Sequence, residues 1–208
     1  NTLKDLNTDL VVTANGVANG ILASAGTNNV DGVKDIVITS TGGSASGIQG
    51  SSGGKNNINK DAQTQLGTLA VTASGGDAYG IVAHDSGTVN TVAGLGAVTA
   101  KGVTNTDAIY ANGGKNVVNH AEDTGRGDIT AISTSSSADG VYAMNGGMNE
   151  VYGYENIKAI GEQTMGSPYA DNYGVLAMGT NSLNTITLNG TGTIEVSGTY
   201  GDATGVSA

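Results

Sequence analysis

The side chains suited to acid–base or metal chemistry are few and scattered along this sequence. The only imidazoles are His84 and His120, and the chain has no cysteine. The two histidines are expected at different corners of different turns, and no serine is placed with both, so a zinc site or a catalytic triad is not predicted. The calcium-binding nonapeptide of some β-helix repeats is also absent. We therefore predict a protein with no catalytic residues, no metal site and no cofactor.

The carboxylates outnumber the basic side chains without forming an obvious cluster. The 208 residues include 18 Asp and Glu against 8 Lys and Arg, a formal net charge of −10. Nucleic-acid binding needs clustered Lys and Arg, so we expect no nucleic-acid partner. Only Glu150 and Glu195 are acidic at outward strand positions of the repeats described below. Loops that bring two carboxylates together would suit glycoside cleavage, which keeps a carbohydrate-active enzyme as an alternative.

Arg126, Gly127 and Asp128 spell the tripeptide of integrin-binding loops. This match makes the segment a candidate adhesion loop, in a corner between two predicted strands. Asp128 also directly precedes Ile129, where the next strand is expected to begin. The alternative is therefore that Asp128 is held at the start of that strand and is not displayed.

Three short phrases recur in a fixed order along the whole chain. The first is A-x-G-[IV]-x-A, the second is Asn-x-[VI], and the third is [VI]-x-small, usually closed by glycine. Alternate residues of each phrase are apolar, which indicates β-strands, and Gly, Asn, Asp and Ser fill the gaps as turns require. The aliphatic anchors of the first phrase are 27 to 34 residues apart: Ile21, Ile48, Ile81, Ile109, Val141, Val175 and Val206.

Three strands and three turns in every repeat describe a coil with three sides. We call the sides built by the three phrases the first, second and third faces. Successive turns of such a coil stack about 4.8 Å apart and pair through parallel strands. The sequence therefore predicts a single all-β domain over residues 1–208, a parallel β-helix (β-solenoid). We expect three short strands per turn, about seven turns and repeats of about 31 residues.

The interior of this coil is predicted to be a narrow aliphatic column, consistent with 35 Gly and no Phe or Trp. The asparagine of the second phrase has two interpretations. Its amide can bond to the equivalent amide of the next turn and form a ladder. It can also serve a left-handed turn conformation. The residues concerned are Asn28, Asn56, Asn90, Asn116, Asn149 and Asn184.

Both ends of the sequence fall inside a phrase. The stretch 1–3 is already a second phrase, and residues 203–208 form a first phrase. Open turns are exposed sheet edges that recruit further strands. We therefore expect a solenoid uncapped at both ends, as part of a longer array or of a fibre.

The outward residues of the three faces differ in character. On the third face we expect a ladder that begins Thr13, Thr39, Thr72, Thr99 and Thr130 and continues with Lys158 and Glu195. On the first face we expect a mostly apolar stripe, which is a candidate binding surface because exposed apolar patches tend to mark contacts. This apolar stripe consists of Leu22, Val82, Tyr110, Tyr142 and Leu176, with the two tyrosines on consecutive turns. The alternative is that a loop at 161–172, containing Tyr169, covers it.

Phrases such as "GGKNVVN", "GGMNEVYG" and "NTITLNGTGTIEVSG" resemble the passenger regions of bacterial autotransporter adhesins and filamentous haemagglutinin-like exoproteins. This resemblance implies a right-handed β-helix on the outside of a Gram-negative cell. It also implies a role in adhesion, self-association or biofilm formation. Outer-membrane anchoring would then depend on segments outside this chain.

We therefore expect an extracellular, non-catalytic surface adhesin or stalk of bacterial origin. Its partners would be copies of itself, or a glycan or protein of a host or other surface. The first alternative is a subunit of an extracellular filament that stacks head to tail. The second is the carbohydrate-active β-helix enzyme.

Overall fold

The computed structural model describes residues 1–59, 66–124, 126–163 and 170–208. In these ranges the regular structure consists of β-strands, with no helix. Every strand of the main ladders pairs in parallel with its equivalents in the neighbouring turns. The predicted all-β parallel β-solenoid is thus confirmed. The described ranges contain no helix of the length and apolar character needed to cross a bilayer.

The strands of the first phrase form a seven-stranded parallel sheet on the first face. Their pairing places equivalent residues directly opposite each other, such as Ile109 opposite both Ile81 and Val141. Val141 in turn lies opposite Val175. Numbered in chain order, these strands are β3 (Ala18–Ser24), β6 (Ala45–Ser51), β9 (Ala78–His84), β12 (Thr106–Asn112), β15 (Ala138–Met144), β17 (Asn172–Met178) and β19 (Ala203–Ser207).

The second and third faces belong to one twelve-stranded sheet. The second-face strands are β1 (Thr2–Leu3), β4 (Thr27–Val30), β7 (Lys55–Ile58), β10 (Val89–Val92) and β13 (Lys115–Val118). The third-face strands are β2 (Thr8–Ala14), β5 (Val33–Ser40), β8 (Thr68–Ala73), β11 (Ala97–Gly102) and β14 (Ile129–Ser133). Two long strands run through both faces and join them, namely β16 (Met148–Gly161) and β18 (Leu183–Gly198).

The strand and turn counts differ slightly from those predicted. The solenoid has about six turns, because the seven first-face anchors enclose six intervals. In the turns of β16 and β18 the corner between the second and third faces is a pair of bulges near Tyr152 and Asn156. A bulge bends a strand without ending it, so these turns have two strands instead of three.

The core is the predicted aliphatic column. All six of the first-face anchors from Ile21 to Val175 are at most 7% exposed, and Ile48, Ile81, Ile109 and Val141 are completely buried. One large aromatic side chain, Tyr154, is also fully buried, at the bulged corner of β16. The column is therefore narrow along its length but accommodates a ring where the corner widens.

The asparagines of the second phrase form the predicted ladder. From Asn28 to Asn149, each side-chain amide donates to the amide oxygen of the next asparagine at 2.8–3.0 Å. Each of the six also donates to a main-chain carbonyl at the adjacent first-face strand, at 2.7–2.9 Å. The six ladder asparagines do not adopt the left-handed backbone conformation, which is found instead at other asparagines, including Asn59, Asn119 and Asn145. The ladder thus fastens each turn to the next and the second face to the first.

The threonine ladder of the third face is interrupted, contrary to the sequence-based expectation. Thr39 pairs with Thr72 as predicted, but Thr99 pairs with Ala70 and not with Thr72. The residue opposite Thr72 is Lys101. A two-residue shift keeps every side chain on its own side of the sheet, so the alternating pattern does not reveal it.

The glycine of the first phrase is required by close packing inside the coil. A Cβ added to Gly140 would press on Ile157 and lie 2.5 Å from the carbonyl oxygen of Gly174. Because a backbone oxygen cannot move aside cheaply, we expect Gly140→Ala to lower the free energy of unfolding by about 2 kcal/mol. Urea unfolding followed by circular dichroism measures this change.

Gly205 is the matched control for this substitution. It occupies the same place in the first phrase, and a Cβ there would meet no atom within 4 Å. We expect Gly205→Ala to leave the urea midpoint nearly unchanged. Equal effects of the two substitutions would contradict the packing explanation.

Candidate functional site

The residues of the apolar stripe lie in the predicted register. Tyr110 lies opposite Val82 on one side and Tyr142 on the other, and Tyr142 lies opposite Leu176. Their exposure is not as predicted. Leu22 is 46% exposed, but Val82 is completely buried and Tyr110 is only 9% exposed. Leu176 is buried as well, so the stripe is not one continuous exposed surface.

Neighbouring side chains of the same face cover this region. The Tyr110 ring stacks on Tyr142 with 5.2 Å between ring centroids and on Tyr79 at 5.8 Å. His84 packs edge-on against Tyr110 at 5.6 Å. The three tyrosines thus form one stack along the solenoid axis. The loop predicted as an alternative cover includes residues 164–169, and Tyr169 with them lies outside the described residues.

A groove runs beside this stack, and the sequence-based prediction missed four of the six residues that define it. We call it the tyrosine groove and define it by six lining residues: Tyr79, Asp107, Tyr110, Asp139, Tyr142 and Tyr173. Its volume is about 430 Å³, which lies within the range of small-molecule sites. Its position on paired strands of one sheet gives it a rigid floor.

The missed residues all occupy the variable position of the first phrase. Pairing between β9, β12, β15 and β17 aligns Tyr79, Asp107, Asp139 and Tyr173 in one outward ladder. Two tyrosines therefore flank two aspartates. The outer residues, Tyr79 and Tyr173, are three turns apart, roughly 14 Å along the axis. The signal was present in the sequence as aromatic and acidic residues at the same position of the repeat.

The two aspartates form a buried carboxyl pair at the floor of the groove. Asp107 is 5% exposed and Asp139 is 6% exposed, and the two residues lie opposite each other in neighbouring turns. Burial raises the pKa of Asp107 well above its usual range, and the charge of Asp139 raises it further. Burial also raises the pKa of Asp139 to about 7. The pair therefore retains at least one proton at neutral pH.

The surroundings of the pair offer few donors. The Tyr173 backbone N–H donates to Asp139 Oδ1 at 3.2 Å. Within the described ranges, no backbone N–H and no basic side chain donates to Asp107. Burial raises the pKa of Tyr110 to about 12, so its phenol stays neutral and can both donate and accept. The groove is thus an acidic, aromatic surface suited to holding a polar organic group.

The candidate adhesion loop is not displayed in the way that sequence analysis proposed. The Arg126 guanidinium is buried and pairs with Asp123 at 2.9 Å. Asp128 contacts Lys158 Nζ at 2.5 Å and accepts from Asn156 Nδ2 at 2.8 Å. Both charged side chains are therefore engaged within the solenoid, which favours the alternative that Asp128 is held at a strand start.

The other residues considered for chemistry lie apart from the groove floor. Glu150 pairs with Lys115 at 2.7 Å on the second face. The backbone N–H of His120 donates to Asp123 in the corner that follows β13. Among the described residues, no group of three His, Cys, Asp or Glu side chains is arranged to hold a metal ion.

A role for the groove has to be inferred from its own geometry, because a β-solenoid is compatible with several functions. The relevant features are the stacked tyrosines, the buried carboxyl pair and the rigid sheet beneath them. Comparison of the chain with known protein families, with curated proteins and with solved structures found no match.

Proposed function

We propose that this chain is part of an extracellular bacterial surface protein that mediates attachment or self-association without catalysis. In this proposal the solenoid is right-handed, as in autotransporter passengers, and projects the tyrosine groove away from the cell. The groove is the contact site for a partner on another surface or another cell. The phrases that resemble autotransporter passengers support the location, and the fold is compatible with it.

The observation that carries this proposal is the tyrosine stack beside a groove on a rigid face. Tyr79, Tyr110 and Tyr142 are held ring against ring, so they lose little conformational freedom when a partner binds. Tyrosine is also enriched among the residues that dominate binding energy at interfaces.

Removal of the stack tests this function. Beads coated with the chain are counted when they attach to an epithelial-cell layer or to one another. We expect Tyr110→Ala combined with Tyr142→Ala to reduce attached beads about tenfold, as loss of central aromatic contacts does. A second variant, Ser137→Trp, fills the groove at one of its lining residues and leaves the stack in place. It should reduce attachment similarly.

Tyr200→Ala is the control, because Tyr200 is exposed in a corner near β19 and outside the groove lining. We expect Tyr200→Ala beads to attach like the unsubstituted chain. Circular dichroism checks that each variant keeps its β structure. If folded Ser137→Trp beads attach as well as the control, the groove is not the contact site and the proposal is wrong.

A further inference from the structure

We propose that the tyrosine groove binds an amino sugar through its free ammonium group, with the ammonium placed at the Asp107–Asp139 pair. This inference rests on the proposed attachment function and deepens it by naming the ligand class. It depends on two independent features of the groove, namely its uncompensated carboxyl groups and its open, ring-sized shape.

The first feature is that, among the described residues, no positively charged side chain lines the groove around the carboxyl pair. Asp171 also lines the groove, Asp77 lies close enough to affect Asp107, and none of the lining residues is Lys, Arg or His. Two nearly buried carboxyl groups at paired positions of neighbouring turns are short of a cationic partner. An ammonium group supplies that charge and several N–H donors, and a proton held by the pair can leave as it binds.

The second feature is the shape of the groove and the chemistry of its walls. The lining residues span about three turns, from Tyr79 to Tyr173, which suits a chain of rings better than one linear lysine side chain. Tyrosine hydroxyls and Ser137 can exchange hydrogen bonds with sugar hydroxyls, while Met144 and Met178 offer apolar surface to C–H groups. These walls favour an amino sugar over a lysine of a protein.

Titration calorimetry with two matched sugars tests this inference. The probes are a β-1,4-linked glucosamine tetramer and the corresponding N-acetylglucosamine tetramer, which lacks the charge. We expect the glucosamine tetramer to bind about tenfold tighter or more, because a desolvated charge contact is lost with the acetylated sugar. We also expect Asp139→Asn and Asp107→Asn each to reduce that preference.

The controls separate this contact from general attraction to an acidic protein. Asp9→Asn removes one exposed carboxylate far from the groove lining and should leave the affinity unchanged. Equal affinity for the two tetramers would overturn the amino-sugar assignment, as would equally tight binding of tetralysine. If Ser137→Trp still reduces bead attachment in that case, the groove is the attachment site and only the ligand class is wrong.

Discussion

Replacing Asn116 with aspartate should lower the free energy of unfolding by about 3–5 kcal/mol, the range for an uncompensated buried charge. Asn116 is completely buried and accepts from Asn90 at 2.9 Å. Its amide donates to the Tyr110 carbonyl at 2.7 Å and to Asn149 Oδ1 at 2.9 Å. Aspartate has the same shape but no donor, so a carboxylate would face two oxygens without water. Urea unfolding monitored by circular dichroism at pH 7 measures the loss.

Asn57 provides a matched control because it lies on the outward side of a second-phrase strand. Its amide makes a single bond to Asn29 Oδ1 at 2.8 Å, and its side chain is partly exposed. We expect Asn57→Asp to cost less than about 1 kcal/mol, as for a solvated hydrogen bond. If Asn116→Asp and Asn57→Asp cost the same, the buried ladder does not hold the turns together.

The sequence allowed the ladder to be predicted because a parallel stack places equivalent residues of successive turns beside each other. Asn90 and Asn116 belong to the same phrase, so their contact follows from the repeat alone. The third face shows the limit of this reasoning. Thr72 and Thr99 also occupy the same phrase, yet they are shifted by two residues. A pattern of period two cannot distinguish these registers, and both bury the aliphatic side chains.

Only two of the six residues that define the groove, Tyr110 and Tyr142, could be predicted, for a related reason. The repeat aligned Tyr110 with Tyr142, and their rings do stack. The stacking of Tyr79 on Tyr110 could not be predicted, because it depends on the rotamers of both side chains and the repeat pattern does not specify rotamers. Asp107 and Asp139 share a ladder position, but neighbouring turns fill that position with other residue types. Their burial depends on the flanking rings, which the repeat does not describe.

The Asp107–Asp139 pair should make the protein less stable as the pH rises from about 4 to about 7. An unfolded aspartate has a pKa of about 3.9, whereas burial raises the pKa of Asp139 to about 7. Between these values the unfolded state binds fewer protons, so stability falls with increasing pH. Three pH units correspond to about 4 kcal/mol. Asp77 and Asp171 add negative charge near the pair and act in the same direction.

Asp107→Asn isolates this effect, because an amide N–H can donate permanently to the Asp139 carboxylate. Asp139 can then ionise with a donor in place, so its pKa should fall. Asp139 stays buried in the variant, so we expect the downward slope between pH 4 and 7 to become shallower but not to disappear, and the variant to be more stable than the unsubstituted protein at pH 8 by about 2 kcal/mol.

Urea unfolding at a series of pH values compares the two proteins, with Asp9→Asn as an exposed control that should keep the original slope. All three proteins also contain two carboxylates with a lowered pKa, Asp128 beside Lys158 and Asp123 beside Arg126. These two carboxylates make the protein less stable on acidification below their unfolded pKa, which is the opposite sign and a lower pH range. Parallel pH profiles for Asp107→Asn and the unsubstituted chain would mean that the carboxyl pair holds no trapped proton.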